Sequence, residues 1–414
     1  RANQEPFLKE VEWISNLKVR AGWGQVGKQT ISPYQTLQKY SVGFAPGVGG
    51  YDVAYTPDNI PNTRLTWETT SQYNIVFDAY YKVTDDLLQN ISIPASSGYK
   101  KMAVNRGSIE NKGFEFSVDG LILNTKDWNW NVNVNGSVNR NRIKSIGLPS
   151  QYFSYSIANA KGYLGNNISA NVINSPANIF LEGRPVGMFY GLKADGIAQE
   201  PRYTSDGKPV MWNGQQIVGG MLNYVDVNDD GVIDMHDRVL LGDPNPDFVY
   251  GFSTTLSWKG LTLDVLFNGV LGRDIVNANL YMENFSVGGG TKNRRTDAYG
   301  YAWREGDPNG TNATTKYQSL TAPQPTEVGS WVVEDGSYLR LSNITLSYDI
   351  PMKKTSALKR LNVYVSGNNL FVWTKYSEHD PEVNSFSGNA GIIGVDWNSY
   401  PSVRSVLVGL NLTF

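Results

Sequence analysis

Residues 128–138 read Trp-Asn-Trp-Asn-Val-Asn-Val-Asn-Gly-Ser-Val. Aromatic or aliphatic residues occupy nearly every second position of this stretch, and asparagine occupies most of the positions between them. A period of two is that of a β-strand, in which successive side chains point to opposite faces. One face of the strand is therefore apolar, and the other is lined with amides. This combination is typical of a barrel wall with lipid outside and a water-filled lumen inside.

The same alternation recurs along the chain. Clear runs occur at 17–23, 73–81, 114–122, 248–258, 261–267, 361–365 and 406–414, and weaker ones at 87–93 and 337–350. Together they indicate about ten strands. We therefore predict an all-β fold, a transmembrane antiparallel β-barrel, with tryptophans near strand ends as interfacial girdles. These tryptophans are Trp23, Trp67, Trp128, Trp258 and Trp373. A soluble sandwich with apolar strand ends is the alternative explanation for them.

The links between the predicted strands differ strongly in length. Short links lie at 83–86, 124–127 and 259–260, a longer one at 351–360, and long links at 27–64, 94–107, 144–246, 272–336 and 374–401. Short periplasmic turns and long extracellular loops are the usual asymmetry of an outer-membrane barrel. We therefore predict that residues 1–414 form one barrel domain, that 144–246 is a long extracellular excursion, and that Phe414 ends in the periplasm. About ten strands could close as a small barrel or form part of a larger one.

Composition argues against several classes of function. The 414 residues include no cysteine, and the net charge is −2 without runs of lysine or arginine, which argues against nucleic-acid binding. No apolar run approaches the roughly 18 residues that a membrane-spanning helix requires. The two histidines, His236 and His379, belong to no recognisable nucleophile or zinc motif, so we predict no enzymatic activity. The start at Arg1 lacks the features of a signal peptide, so we expect the export signal to be absent or removed.

One segment has the spacing of a metal site. Residues 226–237 match the calcium-loop pattern, with Gly231 at the position of the sharp turn. The predicted oxygen ligands are Asp226, Asn228, Asp230, the carbonyl of Val232, Asp234 and Asp237. Asp237 replaces the usual glutamate, and no flanking helices are evident, so the predicted Ca²⁺ is structural. The alternative is an aspartate-rich surface turn without metal.

Several stretches spread along the chain carry a further signal. They are LKVRAGWGQ (17–25), LTWETTSQYN (65–74), NRGSIENKGFE (105–115), EGRPVGMFYG (182–191) with DGI (195–197), GDPNPDFVYG (242–251), SGNNL (366–370) and NLTF (411–414). In these stretches, and in this order, the chain resembles the SusC-like family of TonB-dependent transporters from the outer membrane of Bacteroidetes. The likeness covers nearly the whole chain.

The resemblance implies that the chain is the C-terminal part of a barrel of about 22 strands with a plug in its lumen. It further implies a SusD-like surface lipoprotein as a lid, energy relayed by TonB, and import of glycans or, in some members, peptides. The plug, the TonB-box and the first half of the barrel are not in this sequence, so they are expected elsewhere. A bound calcium ion would then brace the 144–246 excursion and support docking or hinging of the lid.

Other functions remain as alternatives at this point. One is a soluble or surface-attached glycan-binding β-protein that carries calcium, and another is an outer-membrane enzyme or a passive pore of about ten strands. Loop aromatics could stack against sugars or pack against protein; they are Tyr152, Phe153, Tyr155, Tyr281, Phe285 and Tyr299. We expect the amides of the 128–138 strand to solvate the lumen or contact the plug rather than to select a substrate.

Overall fold

A computed structural model describes residues 21–28, 40–47, 50–57, 68–75, 78–92, 101–147, 151–153, 160–169, 172–284, 295–296, 300–306, 317–319, 321–352 and 358–414. The strands are β1 (Ala21–Lys28), β2 (Tyr40–Gly47), β3 (Gly50–Pro57), β4 (Glu68–Ile75), β5 (Asp78–Asp85), β6 (Leu88–Ser92), β7 (Lys101–Asn105), β8 (Ser108–Asn124), β9 (Trp128–Ser145), β10 (Gln151–Phe153), β11 (Ala160–Leu164), β12 (Asn178–Leu181), β13 (Met188–Leu192), β14 (Ala194–Ile197), β15 (Met211–Trp212), β16 (Gln215–Gln216), β17 (Leu222–Tyr224), β18 (Val232–Ile233), β19 (Arg238–Gly242), β20 (Phe248–Trp258), β21 (Leu261–Leu271), β22 (Asp274–Asn277), β23 (Val333–Asp335), β24 (Tyr338–Ile350), β25 (Arg360–Thr374), β26 (Val395–Asp396) and β27 (Ser405–Thr413).

Helical structure in these ranges is limited to short segments. They are the helix α1 (Leu280–Glu283), single 3-10 turns at Met235–Asp237 and Ser330–Val332, and the helical residues Thr296 and Gly300. Among the residues that the structure describes, no helix has the length and apolar character needed to cross a membrane.

Ten of the strands form one antiparallel sheet, which we call the wall. Its order is β1-β4-β5-β8-β9-β20-β21-β24-β25-β27, so each wall strand pairs with the next wall strand along the chain. This is the up-and-down arrangement of a barrel wall. The prediction of an all-β fold with about ten antiparallel strands is confirmed.

The register of β9 explains why its alternation indicates a wall. Val134 faces Val118 on β8 and Phe252 on β20, whereas Asn133 faces Asp119 on β8. Cross-strand partners in an antiparallel pair share one face of the sheet. The apolar residues of neighbouring strands therefore form a common outer face, and the polar residues form a common inner face.

The outer face of the wall is exposed although it is apolar. On the edge strand β27, Val406, Val408 and Leu410 are 71%, 76% and 65% exposed. At the short-turn end of the wall, the rings of Trp128 and Trp258 stack with centroids 5.5 Å apart. An apolar band of this kind, edged by aromatic rings, is the surface that a barrel presents to lipid.

One predicted strand is a hairpin. The run 73–81 contains the end of β4 and the start of β5, which are joined at 76–77 and pair with Tyr73 opposite Tyr81 and Ile75 opposite Ala79. Odd-numbered residues of β4 pair with odd-numbered residues of β5, so their side chains share one face of the sheet. The apolar alternation therefore continues from the first strand into the second. The short link expected at 83–86 is therefore wrong, and the weak run at 87–93 is β6, which pairs with β7 outside the wall.

The connections between wall strands leave the wall at two different ends. Short connections follow β4, β8, β20 and β24, and long connections follow β1, β5, β9, β21 and β25. Short and long links thus alternate along the chain as predicted, except that the short link expected at 83–86 lies instead between β4 and β5. Because outer-membrane barrels have short periplasmic turns, we predict that the long-connection end is extracellular.

The buried core lies in the long connections rather than in the wall. Phe189, Val276 and Val395 are fully buried together, although they belong to the connections after β9, β21 and β25 respectively. A second cluster surrounds Trp212 and Tyr224 within the connection after β9. We call the described parts of these three connections, within 146–247, 272–337 and 375–404, the cap.

Candidate functional site

The inner face of the wall is a hydrogen-bonded layer of amide, hydroxyl and a few carboxylate groups. Asn133 donates to Oδ1 of Asp119 at 2.7 Å, and Asn343 donates to Oδ1 of Asn368 at 2.8 Å. Other cross-strand pairs in this layer are Thr255 with Asp264, Ser257 with Thr262, Thr345 with Ser366, and Asn368 with Ser405. The amide and hydroxyl groups both donate and accept, and the carboxylates accept, so the layer can exchange partners with the hydroxyls or amides of a passing solute.

Arg340 fixes the last long connection to the cap end of the wall. Its Nη2 lies 2.6 Å from Oδ1 of Asp380, and its Nε lies 2.8 Å from Oε2 of Glu382. The side chains of Arg340 and Asp380 are 4% and 5% exposed, so this pair is shielded from water. Arg273 adds a bond from its Nη2 to the carbonyl of Pro381 at 2.8 Å. The segment around 380–382 is therefore held against β24.

The Asp380 carboxylate is stabilised by several groups at once. Burial by itself opposes its ionisation, but the hydroxyl and amide of Ser402, the amide of Glu382 and the Arg340 guanidinium outweigh burial and keep the pKa of Asp380 below its ordinary value. His379, the preceding residue, is exposed, as expected for a solvated loop histidine.

Asn178 joins two of the connections that form the cap. Its side chain is fully buried, and its Nδ2 donates to the carbonyls of Gly187 at 2.7 Å and Ile393 at 3.0 Å. Its Oδ1 accepts from the amide of Ile393 at 3.0 Å. One amide side chain thus ties the connection after β9 to the connection after β25.

The first half of the predicted calcium loop is closed by its own carboxylates. Oδ2 of Asp226 accepts from the amide of Gly231 at 2.8 Å, and Oδ1 of Asp230 accepts from the amide of Val232 at 2.8 Å. Nδ2 of Asn228 donates to Oδ2 of Asp230 at 2.8 Å. Gly231 has φ of +83°, the left-handed conformation that the sharp turn requires.

The second half of the loop is held by Asp237, which is fully buried. Its two carboxylate oxygens accept from the amides of Val227 at 2.7 Å and Asp234 at 2.8 Å. Asp234 in turn accepts from the amide of His236 at 2.7 Å and lies 2.8 Å from the His236 ring nitrogen. The beginning and end of the twelve-residue pattern are therefore brought together by hydrogen bonds.

The donor chemistry of this loop fits calcium, because carboxylate, amide and carbonyl oxygens are the ligands that Ca²⁺ takes. The carboxylates are directed to the amides of the loop, however. Over the described ranges, no group of three or more His, Asp or Glu side chains is arranged to hold a metal ion. Because each carboxylate oxygen has two lone pairs, these oxygens could accept from the loop amides and bind a metal ion at the same time.

A cleft of about 860 Å³ opens in the cap beside Trp303. The indole ring lies against the backbone of Gly219 and Gly220, where a Cβ at Gly220 would be 2.5 Å from the ring. The amide of Trp303 donates to the carbonyl of Tyr317 at 3.1 Å, and the amide of Ser319 donates to the carbonyl of Gly220 at 2.7 Å. These contacts hold the ring in place as one wall of the cleft.

Polar side chains complete the cleft around Trp303. Its lining includes Gln199, Glu200, Gln216 and Arg304. A fixed aromatic ring beside amide and charged groups can stack on a sugar ring while its neighbours bond to hydroxyls. Sequence reasoning missed this site, because the two glycines that seat the ring lie far from Trp303 along the chain.

The aromatic residues singled out from the sequence do not form this cleft. Tyr281 is fully buried in the cap and donates its hydroxyl to the carbonyl of Glu327 at 2.5 Å, so of its two predicted alternatives it packs against protein. The side chains of the other predicted aromatics lie outside the described residues; they are Tyr152, Phe153, Tyr155, Phe285 and Tyr299.

No family model matches the chain. A TonB-dependent receptor of Formosa agariphila is 31% identical over the whole of this chain, and the TonB-dependent receptor SusC of Bacteroides thetaiotaomicron is 29% identical over the whole chain. Along its whole length, the chain is therefore similar to TonB-dependent receptors, SusC among them. It spans only 41% of the first relative and 39% of the second.

The fold is also found among solved transporter structures. The structure of the RagAB peptide transporter superimposes with a TM-score of 0.73 and 24% identity, covering all of this chain and 42% of that one. The predicted family and barrel fold are thereby confirmed, and the share covered is consistent with a C-terminal part of the barrel. These similarities indicate an outer-membrane β-barrel protein, so the alternative of a soluble protein is set aside. The named relatives are receptors and transporters rather than enzymes.

Proposed function

We propose that this chain supplies the C-terminal wall and the cap of a TonB-dependent importer of oligosaccharides, with a SusD-like lipoprotein as its lid. The observation that carries the proposal is the inner face, on which amide and hydroxyl groups bond from β8 to β27. Such a face offers many weak, exchangeable hydrogen bonds to hydroxyl groups and few fixed charges that would retain a solute.

The mechanism involves no covalent chemistry. A sugar chain held under the lid would move along the inner face when a plug, supplied by the N-terminal part of the protein, rearranges under force from TonB. The cap would hold the solute at the entrance, where Trp303 offers a stacking surface. Peptides are the second candidate, because the structurally similar RagAB is a peptide transporter and amide groups also bond to peptide backbones.

Uptake in the native bacterium tests this function. Deletion of the gene should abolish growth on, and uptake of, the oligosaccharides that a panel of purified glycans identifies, and depletion of TonB should have the same effect. Growth on peptides should be unchanged. If the deletion abolished only peptide uptake, the substrate class would be peptides instead of oligosaccharides. If both classes were still taken up fully without the gene or without TonB, the import function would be contradicted.

The Trp303 cleft has its own test. In the full-length protein, Trp303→Ala should weaken binding of the identified oligosaccharide about tenfold, because stacking of one ring contributes on the order of 1 kcal/mol. Tyr203→Ala is the matched control, since Tyr203 is a 57% exposed aromatic residue of the cap that lies outside the cleft. Equal affinity of both variants would remove the cleft from the function while leaving import itself in place.

We also propose that residues 226–237 bind one Ca²⁺ that braces the cap. Support comes from the ligand spacing, from the turn at Gly231 and from the closure of the loop by Asp237. Binding would add metal–oxygen bonds to the amide–carboxylate hydrogen bonds of the loop and hold the loop more firmly. The braced loop would support docking or hinging of the lid.

Metal analysis and stability measurements test the calcium site. The full-length protein should carry one equivalent of calcium, and its cap should resist protease better in calcium than in chelator, because a ligand at a hundred times its Kd stabilises by about 2.7 kcal/mol. Asp226→Ala combined with Asp230→Ala should remove both effects and weaken lid association. The control Asp206→Ala changes an exposed acid of the same connection that pairs with Lys208. Absence of bound calcium in the wild type would contradict the site, and unchanged lid association would contradict its role.

A further inference from the structure

The outward-facing residues of β9, which we call its outer stripe, change from apolar to basic between Val138 and Arg140. On the apolar side of this change the outward residues are Trp128, Trp130, Val132, Val134, Gly136 and Val138. The next residues on the same face are Arg140 and Arg142, and Lys144 follows at a shift in the register with β8. The three basic side chains are exposed. A single strand thus has an apolar outer part followed directly by a cationic outer part, with no neutral polar residue between them.

The length of the apolar part matches a membrane. Ten residue steps separate Trp128 from Val138, which is about 33 Å along a strand and about 25 Å perpendicular to the membrane at the usual tilt of about 40°. The lipid-facing band of outer-membrane barrels has a height of about 25 Å. Arg140 therefore stands at the level where hydrocarbon ends and headgroups begin, at the long-connection end of the wall.

The neighbouring strand adds a further cation at this level. Lys112 on β8 lies directly opposite Arg140, and Phe114, one step below on the same face, lies opposite Val138. Like charges directly opposite each other across a strand pair are destabilising unless an anion lies between or beside them. The apolar pair Phe114–Val138 is therefore followed directly, on the same face, by the pair of positive charges Lys112–Arg140.

Protein carboxylates neutralise this group only in part. Asp247 lies 2.5 Å from Arg140, and Glu110 lies opposite Arg142 on β8, where it accepts a hydrogen bond from Tyr81. Within the described part of the chain, no carboxylate lies at ion-pair distance from Lys112, Arg142 or Lys144. We call Lys112, Arg140, Arg142 and Lys144 the basic belt.

We propose that the basic belt binds the phosphate-bearing headgroup of a lipid in the outer leaflet of the outer membrane. Phosphate oxygens are strong acceptors for arginine and lysine, and a guanidinium can bond two of them at once. The hydrocarbon chains of the same lipid would lie on the apolar stripe directly below, along Val134, Gly136 and Val138. The place of the belt, continuous with the lipid-covered face, favours a lipid over a free anion or a nucleic acid.

Such a lipid would act as a fixed part of the outer surface. It would neutralise the facing charges of Lys112 and Arg140 and would join β8 to β9 where both strands leave the hydrocarbon. Because this point lies where β9 continues into the cap, the bound lipid would also fix the height of the cap above the membrane.

Lipid retention by the full-length receptor tests the belt. The test variant is Lys112→Gln, Arg142→Gln, Lys144→Gln, which keeps side-chain polarity and leaves the Arg140–Asp247 pair intact. The control, Lys126→Gln, Lys259→Gln, Lys359→Gln, removes three exposed charges at the opposite end of the wall. Both proteins are purified in detergent, checked for a folded barrel, and titrated with purified lipid A in phosphorylated and dephosphorylated forms and with inorganic phosphate.

Each outcome of the titration decides for or against the proposal. We expect the wild type and the control to bind phosphorylated lipid A equally, and the belt variant to bind it at least about tenfold more weakly, since each cation near an anionic lipid surface contributes on the order of 1 kcal/mol. Equal binding by the belt variant, or equal binding of dephosphorylated lipid A, would overturn the proposal. Displacement of lipid A by millimolar inorganic phosphate would show a free-anion site and would overturn it as well.

Discussion

The ring of Tyr250 occupies the space that a side chain at Gly269, its cross-strand partner, would fill. A Cβ at Gly269 would lie 2.3 Å from Cζ of Tyr250. The tyrosine hydroxyl donates to the carbonyl of Tyr338 at 3.2 Å, so one side chain on β20 crosses β21 and reaches β24. Two further wall pairs have the same arrangement: Tyr80 with Gly113, and Tyr364 with Gly409.

Gly269→Ala should destabilise the wall by about 1–3 kcal/mol, because the added methyl group displaces a packed ring. The measurement is the temperature at which the folded barrel is lost in detergent, read from its migration on unheated gels. Adding Tyr250→Ser to this variant should recover only part of the loss, since it removes the clash with the ring but leaves the methyl group 2.6 Å from the carbonyl oxygen of Tyr338.

The control for this prediction is Gly388→Ala, because a Cβ at Gly388 would meet no atom within 4 Å. It should leave the unfolding temperature unchanged. An equal loss in both glycine variants, or no recovery in the double variant, would show that ring packing is not the cause.

Arg340→Met should release the last long connection from the wall. The substitution leaves Asp380 buried without its cation, and breaking a buried ion pair in this way costs about 3–5 kcal/mol. We expect limited proteolysis within 375–404 to become more than a hundredfold faster. Arg360→Gln removes an exposed pair with Asp349 and should change stability by less than about 1 kcal/mol. Similar protease resistance of the two variants would contradict the anchoring role of Arg340.

Asn178→Leu should separate two connections of the cap while the wall remains folded. A leucine of similar size leaves the carbonyls of Gly187 and Ile393 and the amide of Ile393 without partners, at about 1–3 kcal/mol for each buried group. Hydrogen exchange of the Ile393 amide should become at least about tenfold faster. Asn174→Leu is the control, because Asn174 is exposed. Unchanged exchange at Ile393 would mean that the connections are joined by other contacts.

Asp274→Asn should stabilise the cap at neutral pH. Burial, together with the negative charges of Asp243, Asp335 and Asp247, raises the pKa of the Asp274 carboxyl. Because this folded-state pKa lies above the unfolded value, the ionised group destabilises the fold, and the wild type should gain stability as the pH falls from 7 through the folded pKa towards about 4. The variant should lack this gain. The prediction would be contradicted if protease resistance changed with pH in the same way in the variant and in the wild type.

Asp335→Asn should have the opposite effect. Hydrogen bonds from Ser337 lower the pKa of Asp335, so its charged form stabilises the folded state above the unfolded pKa of about 4, and that contribution is lost as the pH falls below this value. The variant should therefore be less stable than the wild type at neutral pH. Asp274 and Asp335 lie opposite each other on β22 and β23. Opposite changes in stability would therefore show that the effect depends on the surroundings of each carboxyl and not on the mere loss of an aspartate.

The wall was predictable from sequence wherever one strand could be read alone. The run 128–138 and the register of β9 agree because alternation directly reflects which side a residue faces. At 73–81 the same signal failed. β4 and β5 pair with Tyr73 opposite Tyr81, so the apolar residues stay at alternate positions from one strand to the next. The boundary between two strands is then invisible in the pattern.

The cap could not be predicted in the same way. Its contacts join residues far apart in sequence, such as Arg340 with Asp380 and Trp303 with Gly220. Local spacing did identify the 226–237 loop, because its interactions lie within twelve consecutive residues. The sequence left open whether Tyr281 stacks on sugars or packs against protein, because the packing of separate connections decides its environment.

The outer stripe of β9 also limits how this barrel can change over evolution. Inserting one residue between Val134 and Arg140 would turn amides towards lipid and valines towards water, so only pairs of residues can be gained or lost, and in β8 and β9 together. Each pair changes the height of the apolar band by about 5 Å. Relatives adapted to thicker or thinner membranes should therefore differ in such steps, with the arginine that ends the stripe displaced by the same amount.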